Sequence, residues 1–127
     1  MSRHYARGNA VADGTRGWFV GQFVAPEHGL RRRHDVELKW QRHPRDEARA
    51  GSWVSYRTST TIPIVIEGEI QIRIRVGEEI DEVSLRMPGD YVILPPGVFH
   101  TWKAITDCVV LTVRAPSVPD DVVSSPF

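Results

Sequence analysis

"GDYVILPPGVFHTW", Gly89 to Trp102, decides how this chain is read. A glycine–aspartate turn leads into the apolar run "YVIL". Pro95, Pro96 and Gly97 then turn the chain again, because proline pre-sets φ and glycine accepts positive φ. After that turn a lone histidine, His100, stands between Phe99 and Trp102. A strand, a tight turn and a second strand that begins at His100 are the local reading.

Outward from this run the pattern is β almost throughout. In "EIQIRIRV", Ile70, Ile72, Ile74 and Val76 share one face, while Glu69, Gln71, Arg73 and Arg75 share the other. "HDVELKWQRH" alternates as well, with Val36, Leu38 and Trp40 opposed to Glu37, Lys39, Gln41 and His43. "GWFVGQFV", "WVSYRTST", "IPIVIEG", "EVSLRM", "DYVIL" and "CVVLTVR" are further strand candidates, punctuated by Gly68, Gly77 and Pro88-Gly89. No stretch longer than about ten residues has helical spacing. About eight short strands with such turns specify an all-β sandwich or barrel, whose concave interior can gather a few polar groups.

The 127 residues suffice for one domain with its own core. Residues 1–15 read as an N-terminal arm, 16–116 as the barrel, and 117–127, with its prolines, as a C-terminal tail over the surface. Sixteen basic residues cancel sixteen acidic ones, which leaves no electrostatic argument for nucleic acid or an anionic membrane. Lys39 and Lys103 are the only lysines, so the basic charge is nearly all arginine. Its one dense run, Arg31-Arg32-Arg33, has acidic neighbours and reads as a solvated loop. Cys108 is alone, which suits a reducing compartment, and in "CVVLTV" it reads as a small buried side chain. With no signal-peptide core and no apolar run of spanning length, a cytoplasmic protein is expected.

The opening run resembles the second signature of the cupin superfamily: glycine, five residues, proline, any residue, glycine, two residues, histidine. Gly89, Pro95, Gly97 and His100 fill those places, and the family's closing asparagine is replaced by Ala104. The resemblance implies a double-stranded β-helix, a jelly-roll barrel with His100 pointing inside as a metal ligand. The family's first signature has a histidine pair one residue apart, a glutamate four or five residues on, and a glycine seven further. Two registers compete for it here. Anchored on Gly68, the glutamate place falls on Thr61 and the histidine places on Ser55 and Arg57 or on Val54 and Tyr56, none a good ligand set. Anchored on "WQRHPRDE", Gln41 and His43 take the histidine places and Glu47 the glutamate's, with a longer loop before Gly68. The second suits the strand and the first the hairpin, so His43 and His100 are expected to meet inside the barrel.

Two imidazoles and a carboxylate on facing strands would suit Fe(II), Mn(II), Ni(II) or Zn(II), with positions left for substrate or oxygen. His43, His100, Glu47 and Gln41 are therefore the candidate metal residues, Glu37 being the competing carboxylate. Without a metal, His100 could serve as general acid or base, with Glu37, Lys39 or Tyr56 as partners. Trp18, Trp40, Trp53 and Trp102 are candidates for lining a pocket, against simple core or interface roles. The expected function is a metal-assisted enzyme, oxygenase or isomerase in type, acting on a small organic molecule. The alternative is a metal-free small-molecule binder or sensor, for which a cavity lined by Arg57, Thr61 and aromatics would speak. A purely structural dimer partner accounts least well for the polar face. Pairing of sheet edges points to a homodimer.

Overall fold

The alternating run at residues 69–76 becomes the central strand Ile70–Val76, with Ile70 and Ile72 buried on its inner side. A computed structural model describes residues 5–49 and 52–125. Among the described residues the strands are β1 (Trp18–Val20), β2 (Glu37–His43), β3 (Trp53–Tyr56), β4 (Thr60–Glu67), β5 (Ile70–Val76), β6 (Glu79–Leu85), β7 (His100–Ala104), β8 (Cys108–Ala115) and β9 (Val122–Ser125). They form two antiparallel sheets, ordered β1-β2-β8-β4 and β6-β5-β7-β3-β9. The fold is all-β. A short helix, Ala10–Asp13, and a 3₁₀ turn, Pro26–Arg31, are the helical pieces among the described residues.

One end of the space between the sheets is filled by apolar side chains. Val65, Cys108 and Val110 of the first sheet meet Ile70, Ile72, Leu85 and Ala104 of the second, with Leu94 closing the cluster. Each such large side chain, removed from water, stabilises the fold by roughly 1.5–3 kcal/mol. Cys108 sits in this core, and burial pushes its thiol pKa up, with help from the nearby carboxylates Glu47 and Asp107.

Departures from the sequence reading have local causes. "DYVIL" is not a continuous strand; it touches β4 only through the bridges Tyr91–Ile64 and Leu94–Thr61. The hydrogen bonds Thr61 N to Leu94 O (2.9 Å) and Val65 N to Asp90 O (2.9 Å) flank the place where Pro63 faces Val92. Proline has no N–H to donate there, so the ladder breaks. The end of the chain does more than run over the surface: Val122–Ser125 pairs with β3 as a sheet edge. Ser117 and Asp121 just before it are buried. Arg31 and Arg32 are not simply solvated, since their guanidinium groups donate to the backbone carbonyls of Phe19, Asp13 and Val24.

Two devices position the site. Gly97, at φ 82°, takes the left-handed turn that lets β7 begin at His100. The loop after β2 runs beside β7: Asp46 N donates to Ala104 O, Ala104 N to Glu47 O and Arg49 N to Trp102 O. That docking holds Glu47 and Arg49 over the barrel.

Candidate functional site

The inward rungs of the first sheet can be read from its register. Glu37, Arg114 and Thr61 are aligned across β2, β8 and β4; Lys39, Thr112 and Pro63 form the next rung, and Gln41, Val110 and Val65 the next. His43 follows, opposite Cys108. From the second sheet His100 and Trp102 project from β7 and Tyr56 from β3. A cavity of about 110 Å³ lies between, lined by Lys39, Gln41, His43, Arg49, Tyr56, Thr61, Thr112, His100, Trp102 and Arg114 on its polar parts. Ile70, Ile72, Leu94, Pro63 and Val110 form its apolar wall.

His43 is buried, and its Nδ1 lies 2.5 Å from Glu47 Oε1. A carboxylate only accepts, so Nδ1 carries the proton and Nε2 is left as a bare acceptor. The ring lies against Trp102, with centroids 4.2 Å apart. Burial lowers the His43 pKa, opposed by the hydrogen bond and charge of Glu47 and reinforced by Lys39. His100 Nδ1 is 3.2 Å from the Val98 carbonyl, which likewise fixes the proton on Nδ1. Burial takes the His100 pKa down to about 4; Val98 opposes this, while Arg49 and Arg114 add to it. Both imidazoles are thus neutral at pH 7 and present Nε2.

No protein-family model matches the sequence, and no curated protein matches it. Solved structures do. The sugar 3,4-ketoisomerase QdtA from Thermoanaerobacterium thermosaccharolyticum, solved with TDP, superposes with a TM-score of 0.60 at 19% identity, over 68% of this chain and 64% of that one. An uncharacterized conserved protein with a double-stranded β-helix domain from Klebsiella pneumoniae gives 0.58 at 14% identity, over 74% and 73%. An oxalate oxidase gives 0.59 at 17% identity, over 70% of this chain and 45% of its own. The chain shares the fold of these proteins, a double-stranded β-helix. It spans a little under two thirds of the ketoisomerase's length.

Within this barrel, the candidate residues divide. His43, His100, Gln41, Lys39 and Tyr56 line one cavity, and so does Thr61 from the competing register. Arg57 does not: it is exposed and donates to the Asp120 carbonyl. Glu37 points inward but does not line the cavity. Its two oxygens accept from Arg114 Nη1 and Ser117 Oγ, each at 2.8 Å, so it holds Arg114 in place. Glu47 is exposed over much of its side chain and engages His43 from outside the cavity. Of the four tryptophans, Trp18 and Trp102 line the cavity. Trp53 lies instead near the guanidinium groups of Arg73 and Arg75, each 5.7 Å from its ring.

The donor set does not fit the expected two-histidine, one-carboxylate metal centre. Glu47 is bound to His43 Nδ1 and Glu37 to Arg114, so neither joins His43 and His100. Among the described residues no three His, Cys, Asp or Glu side chains gather to hold an ion. Around the two imidazoles stand three cations instead, Lys39, Arg49 and Arg114. Arg49 and Arg114 were not singled out from the sequence. Arg114 shares the inward phase of "CVVLTVR" with Thr112, a legible signal; Arg49 lies in a charged loop with no periodicity to mark it.

Proposed function

We propose that the barrel cavity is an acid–base active site of the isomerase type, acting on a small organic molecule without a metal. The observation that carries this is the Glu47–His43 pair facing His100 across one half-polar cavity. The fold neighbours, a sugar ketoisomerase among them, are compatible with it but share only the fold.

In this reading Glu47 orients His43 and raises the basicity of Nε2, as a carboxylate does for a catalytic histidine. Nε2 takes a proton from a carbon beside a carbonyl. The C–H electron pair moves into the carbon–carbon bond as the carbonyl π pair moves onto oxygen, giving an enolate. Lys39 and the arginines stabilise that oxygen. His43 then returns the proton to carbon or oxygen, so atoms and charge balance. His100, neutral through the working range, accepts a hydrogen bond from a substrate hydroxyl, and Tyr56 donates one. Glu37 serves only to position Arg114.

The test is proton exchange in deuterated water, followed by NMR on small carbonyl and hydroxycarbonyl compounds. Wild type incorporates deuterium beside the carbonyl, and a chelator leaves the rate unchanged. His43→Gln loses at least roughly a hundredfold, in the range for a general base, and Glu47→Gln less. Exchange that needs added Fe(II), Mn(II), Ni(II) or Zn(II) would return the site to metal chemistry. No exchange with any compound would leave a binding module as the reading. We also propose a homodimer and a cytoplasmic setting, the latter on the lone buried Cys108. No helix among the described residues is long and apolar enough to cross a membrane.

A further inference from the structure

We infer that the molecule this cavity takes is a small amphipathic monocarboxylate. The inference rests on the barrel cavity being the site and deepens that reading by naming its ligand. Three observations converge on it, and each bears on a different property of the guest.

Charge comes first. Lys39, Arg49 and Arg114 line the cavity, and the carboxylates beside them are Glu37, paired with Arg114, and Glu47, paired with His43. With both imidazoles neutral, one positive charge is left without a counterpart among the described residues around the cavity. Part of it has no protein partner at all: Arg49 Nε is buried without a hydrogen bond. A buried guanidinium N–H left unmatched is costly, and a carboxylate oxygen is its natural acceptor. Arg114 is held by contrast at several points. Nε donates to Thr61 Oγ1, Nη1 to Glu37, and the group lies flat over Tyr56, 3.8 Å from the ring centroid. Arg49, through that Nε, and Lys39, which has an aromatic face (Trp18, 5.3 Å to the centroid) but no carboxylate beside it, are therefore the cations left to meet a guest.

Size comes next. The cavity has a volume of about 110 Å³ and is partly open at its mouth. A space well below that of a drug-sized pocket suits a carboxylate with a short carbon chain.

The wall decides between anions of that size. Ile70, Ile72, Leu94, Val110 and Trp102 supply an apolar side opposite the cations. Inorganic phosphate would leave this surface facing nothing and would bring excess negative charge. A carboxylate with a short carbon chain satisfies both halves.

Calorimetric titration of the full chain with propionate, propionamide and inorganic phosphate separates these properties, since the three probes are of similar size. Propionate is expected to bind at least roughly tenfold more tightly than propionamide, the gain of one charge-assisted contact. Phosphate is expected to bind more weakly than propionate. Arg49→Gln and Lys39→Met are each expected to weaken propionate about tenfold or more, with an unchanged melting transition for Arg49→Gln. His43→Gln, expected to lose at least roughly a hundredfold in exchange, is expected to keep propionate binding within about threefold, so loss of catalysis and loss of this ligand class remain distinct. Equal binding of propionamide, tighter binding of phosphate, no propionate binding, or binding indifferent to Arg49→Gln would each overturn the inference.

Discussion

His100 shows how one side chain can be both a site residue and a pH liability. Its pKa lies near 4 in the folded chain because burial disfavours the imidazolium, with Arg49 and Arg114 adding to that. In the unfolded chain it returns to about 6.5. Above that value neither state holds the proton. As pH falls below it the unfolded chain binds a proton that the folded chain refuses, so stability declines until about pH 4 and the effect levels off below. The full window is worth on the order of 3 kcal/mol. His43 is shifted in the same direction and adds to the slope. Urea midpoints from pH 7 to pH 4 are expected to fall less steeply in His100→Gln than in wild type. Parallel curves would show that His100 is not held neutral by the fold. The position of His100 was legible in the sequence, because Gly97 and the two prolines fix where β7 starts. Its partners were not. A carboxylate that binds a histidine from outside a cavity, as Glu47 does, has the same spacing as one that would bind a metal inside it.

At the scale of elements, turns carry the specificity. Gly68, between β4 and β5, sits at φ 79°, and a Cβ there would lie 2.1 Å from the Asp107 carbonyl oxygen and 2.8 Å from Cys108 Cα. Those are backbone atoms of the neighbouring β7–β8 connection and cannot swing aside. Gly68→Ala is expected to cost about 3 kcal/mol or more, read as a lowered thermal midpoint with the cavity residues intact. A smaller loss than Gly77→Ala, where φ is 65° but space is open, would contradict the clash. The Asp121 carboxylate has a similar structural duty. It accepts from the backbone N–H groups of Thr58 and Ser59, at 3.1 and 3.0 Å, and from the Thr58 hydroxyl. It thereby ties the β3–β4 turn to the segment before β9. Asp121→Ala leaves those donors unmatched and is expected to cost roughly 2–4 kcal/mol in chemical denaturation. The hairpin glycine could be read from sequence, since its neighbours alternate cleanly. The β9 edge could not, because four residues after a proline-rich run carry too little pattern, and Asp121 declares its role only through residues more than sixty positions away.

The whole molecule has an unusual division of polarity across β2, β4 and β8. Lys39, Gln41, Thr61, Thr112 and Arg114 face inward, so the alternate residues Trp40, Ile62, Ile64, Leu111 and Val113 form the outer face. All five are only half-buried in the single chain. The helix Ala10–Asp13 and the residues around it lie over the β1–β2 end, near Val36 and Leu38. A sequence reading that places apolar residues inside assigns this sheet the wrong way round unless the barrel is recognised first, which the Gly89–His100 run makes possible. The same inversion bears on assembly. Edge pairing was the expected route to a dimer, yet the edge beside β4 is already met by Tyr91 and Leu94. A contiguous apolar sheet face that water would otherwise cover is the better contact for a second copy, since two such faces can cover each other under two-fold symmetry. Light scattering on the eluted protein is expected to give twice the 14.4 kDa chain mass, and Leu111→Asp to give the single mass with a retained fold. Dimers that survive Leu111→Asp but not a proline placed in β9 or β6 would return the contact to the sheet edges.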